Sequence, residues 1–159
     1  MGRIENALQT LKITLSDPPG AVANYLPVRI TGSLAFVSGQ IPMAQGQLLA
    51  SGPVPSVVTP DAARAAARQC VINGLAALRQ ALDGDLDRIE GVIRLGVFVA
   101  SDPGFHGQPT VADGASELLV ELWGDAGRHA RAAVGCVALP LGATVEVELV
   151  VALSRNSDR

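Results

Sequence analysis

One arginine stands among small and apolar residues near the end of the chain: Arg131 lies in the segment Ala130–Ala138, followed by Ala, Ala, Val and Gly. A guanidinium group can bind a planar carboxylate through two parallel hydrogen bonds, and a cation on an apolar strand needs a partner of opposite charge. Two interpretations follow from the residue type: a structural ion pair with an acid such as Glu146, or a clamp for a bound carboxylate.

Two glutamates alternate with apolar residues in the segment Ala143–Leu153. Glu146 and Glu148 are two positions apart, so on a strand their side chains share one face. That face is either solvated or lines a pocket, because burying two unpartnered carboxylates is costly. The β-branched character of the segment is compatible with a pocket, and both interpretations stay open.

The two histidines of the chain do not predict a metal site. His106 and His129 are 23 residues apart, with no acidic repeat at ligand spacing nearby. His129 lies two positions before Arg131, so the two side chains would share a strand face; it is either a pocket residue or a solvated strand end. No Walker loop, G-x-G-x-x-G or G-x-S-x-G pattern occurs, and we expect neither a metal nor a cofactor.

The bulk composition limits the class of protein. A chain of 159 residues with 48% hydrophobic and 3% aromatic residues suits one compact domain over residues 1–159, and a net charge of -3 gives no footprint for nucleic acid or an anionic membrane. Cys70 and Cys136 fit no disulfide framework or metal spacing. Apolar stretches such as Gly91–Ala100 are far shorter than the ~20 residues of a membrane span, and no secretion signal opens the chain. We expect a cytoplasmic, soluble protein.

Hydrophobic periodicity predicts a helical N-terminal arm within residues 1–20 that stops at Pro18-Pro19-Gly20. Two long helices are predicted: one begins at the N-cap Thr59 and closes at Gly84, and the other spans Pro109–Trp123. The predicted strands are Tyr25–Ile30, Leu34–Ser38, Arg88–Ala100, Ala130–Ala138 and Ala143–Leu153. The segment Met43–Thr59 is predicted to be an irregular loop, and residues 154–159 a frayed tail.

This element order predicts an α+β fold, a mixed sheet with two long helices packed on one face. The other face needs a cover as well, because strands such as Val92–Val99 are too apolar to lie in water. We therefore expect oligomerisation through that face.

Several segments, taken in order, resemble the YjgF/RidA family, formerly described as endoribonuclease L-PSP. The similarity spans roughly Tyr25 to Leu153 and lies in Val37–Pro42, Val97–Val99, Arg131–Val134 and Leu139-Pro140 followed by Val145–Glu148. The long arm, Asp113-Gly114-Ala115-Ser116 and Gly127–Arg131 resemble a divergent subgroup of larger RidA-like proteins.

The resemblance implies a chorismate-mutase-like homotrimer with pockets between subunits. Such pockets hydrolyse reactive 2-imino or 2-enamino acids to 2-keto acids and ammonia, without a cofactor. The matching roles are the following: Arg131 binds the carboxylate, Glu146 positions water, and Ser38, Gly39 and Tyr25 line the pocket. Asp113, His129 and Ala133 are further predicted substrate-binding positions.

Two positions depart from the family pattern and keep alternatives open. Ala133 stands where imine deaminases usually carry cysteine, and Cys136 cannot replace it because its odd offset from Arg131 directs it to the other sheet face. Asp113 stands where many members carry asparagine. The main prediction is an imine deaminase; the alternative is a non-catalytic trimer that binds a small carboxylate or acts as a regulator. RNA cleavage is disfavoured by the acidic charge and the lack of a basic patch.

Overall fold

The computed structural model of the chain describes residues 2–16 and 24–154. Its helices are α1 Arg3–Thr10, α2 Pro60–Ala81 and α3 Gln108–Trp123. Its strands are β1 Val28–Thr31, β2 Leu34–Gln40, β3 Met43–Ala44, β4 Gln47–Leu48, β5 Ile89–Ala100, β6 Ala130–Cys136 and β7 Val145–Leu153. Short 3₁₀ turns at Leu86–Arg88, Gly124–Gly127 and Pro140–Gly142 join some of them.

Five strands form one mixed sheet in the order β1-β2-β7-β5-β6. The pairs are antiparallel except β5 with the edge strand β6, which run parallel. In β7 every second residue is buried, from Val145 to Leu153, and these side chains face α2 and α3. The predicted α+β architecture, with both long helices on one face, is confirmed.

The two long helices pack closely because small residues separate them. Thr59 caps α2 by accepting a hydrogen bond from the Ala62 N–H at 3.2 Å, and Pro60 follows as the first helical residue. On α3, a Cβ atom at Gly114 would overlap the backbone of Arg64. The glycine therefore lets the helix backbones approach each other, which fixes how α3 lies against the sheet.

The prediction of an irregular loop over Met43–Thr59 is wrong for its first half, where β3 and β4 form a hairpin. Gln45 and Gly46 both have positive φ, as a two-residue type I′ turn requires. The Asn73 side chain of α2 donates hydrogen bonds to the carbonyls of Ile41 and Met43 at 2.9 and 3.0 Å, so the hairpin is tied to the helix. Glutamine is not a usual first residue of this turn, which concealed the hairpin in the sequence.

The N-terminal helix forms as predicted and is attached to the turn before β5. The Asp87 carboxylate accepts the backbone N–H groups of Arg3 and Ile4 at 2.6 and 2.8 Å. The predicted stop at Pro18-Pro19-Gly20 and the tail after residue 154 lie outside the described residues. In the described ranges, no helix combines the length and apolar character needed to cross a bilayer.

Candidate functional site

A polar cluster of four side chains lies where α3 meets the edge strand β6. Asp113 and Ser116 are three residues apart on α3 and so share one helix face. Arg131 of β6 meets both: its Nη1 donates to Asp113 Oδ1 at 2.8 Å and to Ser116 Oγ at 3.1 Å. We call Asp113, Ser116, His129 and Arg131 the polar cluster.

His129 completes the cluster from the residue just before β6. Its Nδ1 lies 2.6 Å from the Gly127 carbonyl oxygen and its Nε2 lies 3.0 Å from Ser116 Oγ. A carbonyl oxygen can only accept, so Nδ1 carries the proton, and in the neutral ring Nε2 accepts the Ser116 hydroxyl. The hydrogen bonds therefore run in one direction, from Arg131 through Ser116 to His129.

A glycine sets the position of the carbonyl group that orients His129. Gly127 ends the 3₁₀ turn after α3, and a Cβ atom there would overlap the backbone of Leu119. The absence of a side chain allows this turn to pack directly on α3. The sequence Gly127-Arg128-His129-Ala130-Arg131 thus carries both a backbone contact and two members of the polar cluster.

The open alternative of an ion pair between Arg131 and Glu146 does not form, because the two residues lie on opposite faces of the sheet. Arg131 is in register with the fully buried Leu95 and faces the helices. Glu146 is in register with Phe98 on the other face, and its strand β7 is two strands away from β6. The ion-pair partner of Arg131 is Asp113, and its side chain remains 26% exposed.

The other predicted pocket residues form a second group around the end of β2. Gly39 lies at a register shift between β2 and β7, and a Cβ atom there would overlap the Glu146 carboxylate. The Ser38 hydroxyl donates to the Leu26 carbonyl at 2.7 Å, next to the exposed Tyr25. We call Tyr25, Ser38, Gly39 and Glu146 the second group.

The sheet face that points away from the helices, which we call the open face, differs from the helix-packed face in its charge and burial. Burial raises the pKa of Glu146, and the nearby charge of Glu148 raises it further. Glu148 itself accepts a hydrogen bond from Arg94 at 3.0 Å. The pKa of the Cys136 thiol is raised by burial and then by Glu146, and both cysteines are free. In residues 2–16 and 24–154, no group of three His, Cys, Asp or Glu side chains is arranged to hold a metal ion.

One protomer therefore brings together Arg131, Asp113 and His129, and separately brings together the second group. Ala133 follows Arg131 on the same strand side, opposite Val97, and is half-buried. Its methyl group supplies no polar atom to the polar cluster. Sequence reasoning missed Ser116, although its spacing of three residues from Asp113 was a usable signal.

The chain is similar to proteins of several organisms along nearly its whole length. The family model described as "YjgF/chorismate_mutase-like, putative endoribonuclease" matches residues 5–153. Protein TCP17 of Trypanosoma cruzi is 40% identical over 154 residues, which cover 96% of each chain.

Two solved structures share the fold closely. Atu1372 from Agrobacterium tumefaciens, a protein of unknown function, is 44% identical with a TM-score of 0.89, over 96% of this chain and 93% of that one. A protein from Shewanella oneidensis described as a "putative endoribonuclease" is 35% identical with a TM-score of 0.90, over 94% of this chain and 99% of that one.

A mixed sheet with two helices on one face places the chain in the chorismate-mutase-like class of α+β proteins. Within that class, it belongs to the YjgF family, as the resemblance of its motifs predicts.

Proposed function

We propose that this chain is an imine deaminase of the YjgF family, which hydrolyses small 2-imino or 2-enamino acids to 2-keto acids and ammonia. The observation that carries the proposal is the state of the Arg131 guanidinium. Its two hydrogen bonds, to Asp113 and Ser116, both use Nη1. Among the described residues, Nη2 and Nε have no partner, and these two atoms form the edge that matches a carboxylate.

The reaction requires few groups from the protein. A protonated imine is already an electrophile, so the site needs to hold the carboxylate, place a water molecule and stabilise the developing charge. Arg131 supplies the carboxylate anchor. Glu146, whose pKa is raised by burial and by Glu148, is suited to hold and orient water, because its carboxyl oxygens accept hydrogen bonds from a water molecule.

The proposal is tested by ammonia and keto-acid release when a pyridoxal-phosphate dehydratase generates the enamine in the same vessel. We expect the wild-type protein to accelerate release and Arg131→Ala to abolish the acceleration. Arg128→Ala is the matched control, because Arg128 is exposed and forms a surface ion pair with Asp125, away from the polar cluster. Equal rates with wild type and Arg131→Ala would refute the assignment.

We further propose that the active form is a homotrimer whose pockets lie between subunits. The polar cluster and the second group lie on opposite sheet faces of one protomer, so a pocket that uses both needs a neighbouring subunit. The open face also exposes apolar side chains: Phe36 is 43% exposed and Val134 is 46% exposed. Burial of such a face between copies of the chain would stabilise the assembly.

Complementation between two inactive variants tests the shared pocket. Co-expressed Arg131→Ala and Glu146→Gln subunits should form some pockets with both native groups, and random mixing predicts about a quarter of the wild-type activity. Each variant alone should be inactive. A mixture as inactive as its components, in assemblies shown by mass spectrometry to contain both subunits, would place both groups of one pocket in the same subunit.

A binding protein without turnover is a second candidate, and two observations favour it. Ala133 removes the thiol that deaminases of the family usually carry, and Asp113 neutralises part of the Arg131 charge. Calorimetry with short 2-keto acids distinguishes the candidates: saturable binding that needs Arg131, together with no acceleration of enamine hydrolysis, would favour the binding protein. RNA cleavage is not proposed, since the net charge of -3 opposes polyanion binding.

A further inference from the structure

We propose that Arg94 and Glu148 are positioning residues for Glu146: their ion pair holds the Glu148 carboxylate to one side and leaves the Glu146 carboxylate free to orient water. The inference rests on the proposed deaminase function, in which Glu146 orients the water that adds to the imine. Two carboxylates lie two positions apart on the same face of β7, and the reaction needs one of them. The neighbouring strands give each carboxylate a separate place.

Two glycines on the strands that flank β7 direct the two carboxylates to opposite sides. On β2, a Cβ atom at Gly39 would overlap the Glu146 carboxylate. On β5, a Cβ atom at Gly96 would lie 2.8 Å from Glu148 Oε1. Because β7 lies between β2 and β5 in the sheet, Glu146 leans toward one neighbouring strand and Glu148 toward the other. These two strands are two spacings apart, about 9.5 Å, so the carboxylates diverge.

Arg94 fixes the position of the Glu148 carboxylate. Its Nη1 donates to Glu148 Oε1 at 3.0 Å, and the two side chains are 49% and 43% exposed. Arg94 precedes Gly96 by two positions on β5, so its side chain emerges on the same sheet face. In the described parts of the chain, Glu146 has no cationic partner. One carboxylate of the open face is therefore neutralised by a pair, and the other is left free.

The charges around Glu146 fit this division of roles. Its pKa is raised by burial first and by Glu148 second. The thiols of Cys136 on β6 and Cys70 on α2 also lie near it, and burial, followed by the charge of Glu146, raises the pKa of both. Both thiols therefore stay neutral while Glu146 titrates. The adjacent positions on β2 and β5 carry a hydroxyl, a glycine and a phenyl ring, none of which titrates. Arg94 thus acts on Glu146 through Glu148.

Two substitutions that break the same ion pair should move the titration of Glu146 in opposite directions. Glu148→Gln removes the negative neighbour, so the midpoint of Glu146 should fall by about half a pH unit. Arg94→Met leaves the Glu148 charge unpaired and mobile, so the midpoint should rise by roughly 0.3 pH unit. The measurement is the carbon NMR signal of the Glu146 carboxyl group in the full chain labelled at glutamate, assigned by its loss in Glu146→Gln.

Matched variants of a second ion pair are the controls. Arg68 and Glu121 pair at 2.7 Å between α2 and α3, on the helices that cover the opposite face of the sheet. Arg68→Met and Glu121→Gln should leave the Glu146 midpoint unchanged. Arg94→Lys keeps the positive charge and should restore the wild-type midpoint. A pair with a structural role alone would lower Tm in both variants without moving the midpoint; that result, or shifts in the same direction, would overturn the proposal.

The enamine assay separates this proposal from the deaminase function. Arg94→Met should lower kcat by about tenfold, because the released Glu148 side chain disturbs the water that Glu146 holds. The Kd for a short 2-keto acid should change by less than about threefold, because Arg131 lies on the other sheet face. Wild-type kcat in Arg94→Met would overturn the proposal. Opposite shifts of the midpoint without enamine hydrolysis by the wild-type protein would refute the deaminase function and leave the positioning pair in place.

Discussion

Replacing Asp113 by asparagine changes the charge beside Arg131 while keeping a hydrogen-bond acceptor. Asp113 Oδ1 accepts from Arg131 Nη1 at 2.8 Å, and the side chains of the two residues are 44% and 26% exposed. An asparagine carbonyl oxygen can accept the same hydrogen bond, so the guanidinium keeps its position. The substitution therefore removes one negative charge from the rim of the site and little else.

The magnitude follows from the geometry. A carboxylate on the Nη2 and Nε edge would lie about 7 Å from Asp113 Oδ1, across the width of the guanidinium. Two negative charges at that distance repel by roughly 2.4 kcal/mol at an effective dielectric constant of 20 and roughly 0.6 kcal/mol in water. For a half-exposed aspartate, ~1–2 kcal/mol is a suitable value, which corresponds to a Kd lowered about 5- to 30-fold for an anionic ligand.

Calorimetric titration with a short 2-keto acid at low ionic strength measures this effect. The gain in affinity of Asp113→Asn should shrink as salt is added, because Asp113 is partly exposed. Asp125→Asn is the matched control: Asp125 pairs with Arg128 on the surface, and its side chain is 99% exposed. Unchanged or weaker binding by Asp113→Asn would show that the ligand carboxylate does not lie on Arg131.

Three further predictions concern stability. The pKa of Asp87 is lowered, mainly by the hydrogen bond from the Ile4 N–H. Asp87→Ala should therefore lower the free energy of unfolding by ~1 kcal/mol and speed hydrogen exchange in α1. The stabilisation by the Asp87 carboxylate is present at neutral pH and is lost as pH falls through the lowered pKa. Burial raises the pKa of Glu146, so its charged form destabilises the folded state at pH values above the pKa of the unfolded chain. Glu146→Gln should therefore raise Tm at pH 7. The difference in Tm between the variant and the wild type should vanish below about pH 4, where the carboxyl group is protonated in both states. Gly114→Ala would overlap the backbone of Arg64 and should lower the free energy of unfolding by ~1–3 kcal/mol in urea titrations.

Local signals in the sequence predicted most of the fold. Thr59 and Pro60 start α2 as their residue types require, and alternation of apolar residues across Val145–Leu153 correctly predicts β7 with one buried face. The family motifs predicted the sheet and its helical cover. These features are local or periodic, so one sequence is sufficient to recognise them.

Pairings between distant residues were harder to predict. The choice between Asp113 and Glu146 as the partner of Arg131 depends on which sheet face the arginine occupies, and the position of β6 at the edge beside α3 determines that face. Ser116 was missed because serine in a helix has many uses; its spacing from Asp113 was a weak signal, and its contacts with Arg131 and His129 identify it in the structure. The assignment of the second group to the same pocket as Arg131 stays a prediction, since it depends on a neighbouring subunit.

The polar cluster is encoded within one short stretch of chain, from Asp113 to Arg131. This stretch contains both glycines whose backbone contacts position it, Gly114 against Arg64 and Gly127 against Leu119. A recombination event or a designed graft with both crossovers outside residues 113–131 would transfer the cluster as a unit into a relative with the same scaffold. The polar cluster can therefore be inherited or exchanged separately from the rest of the fold.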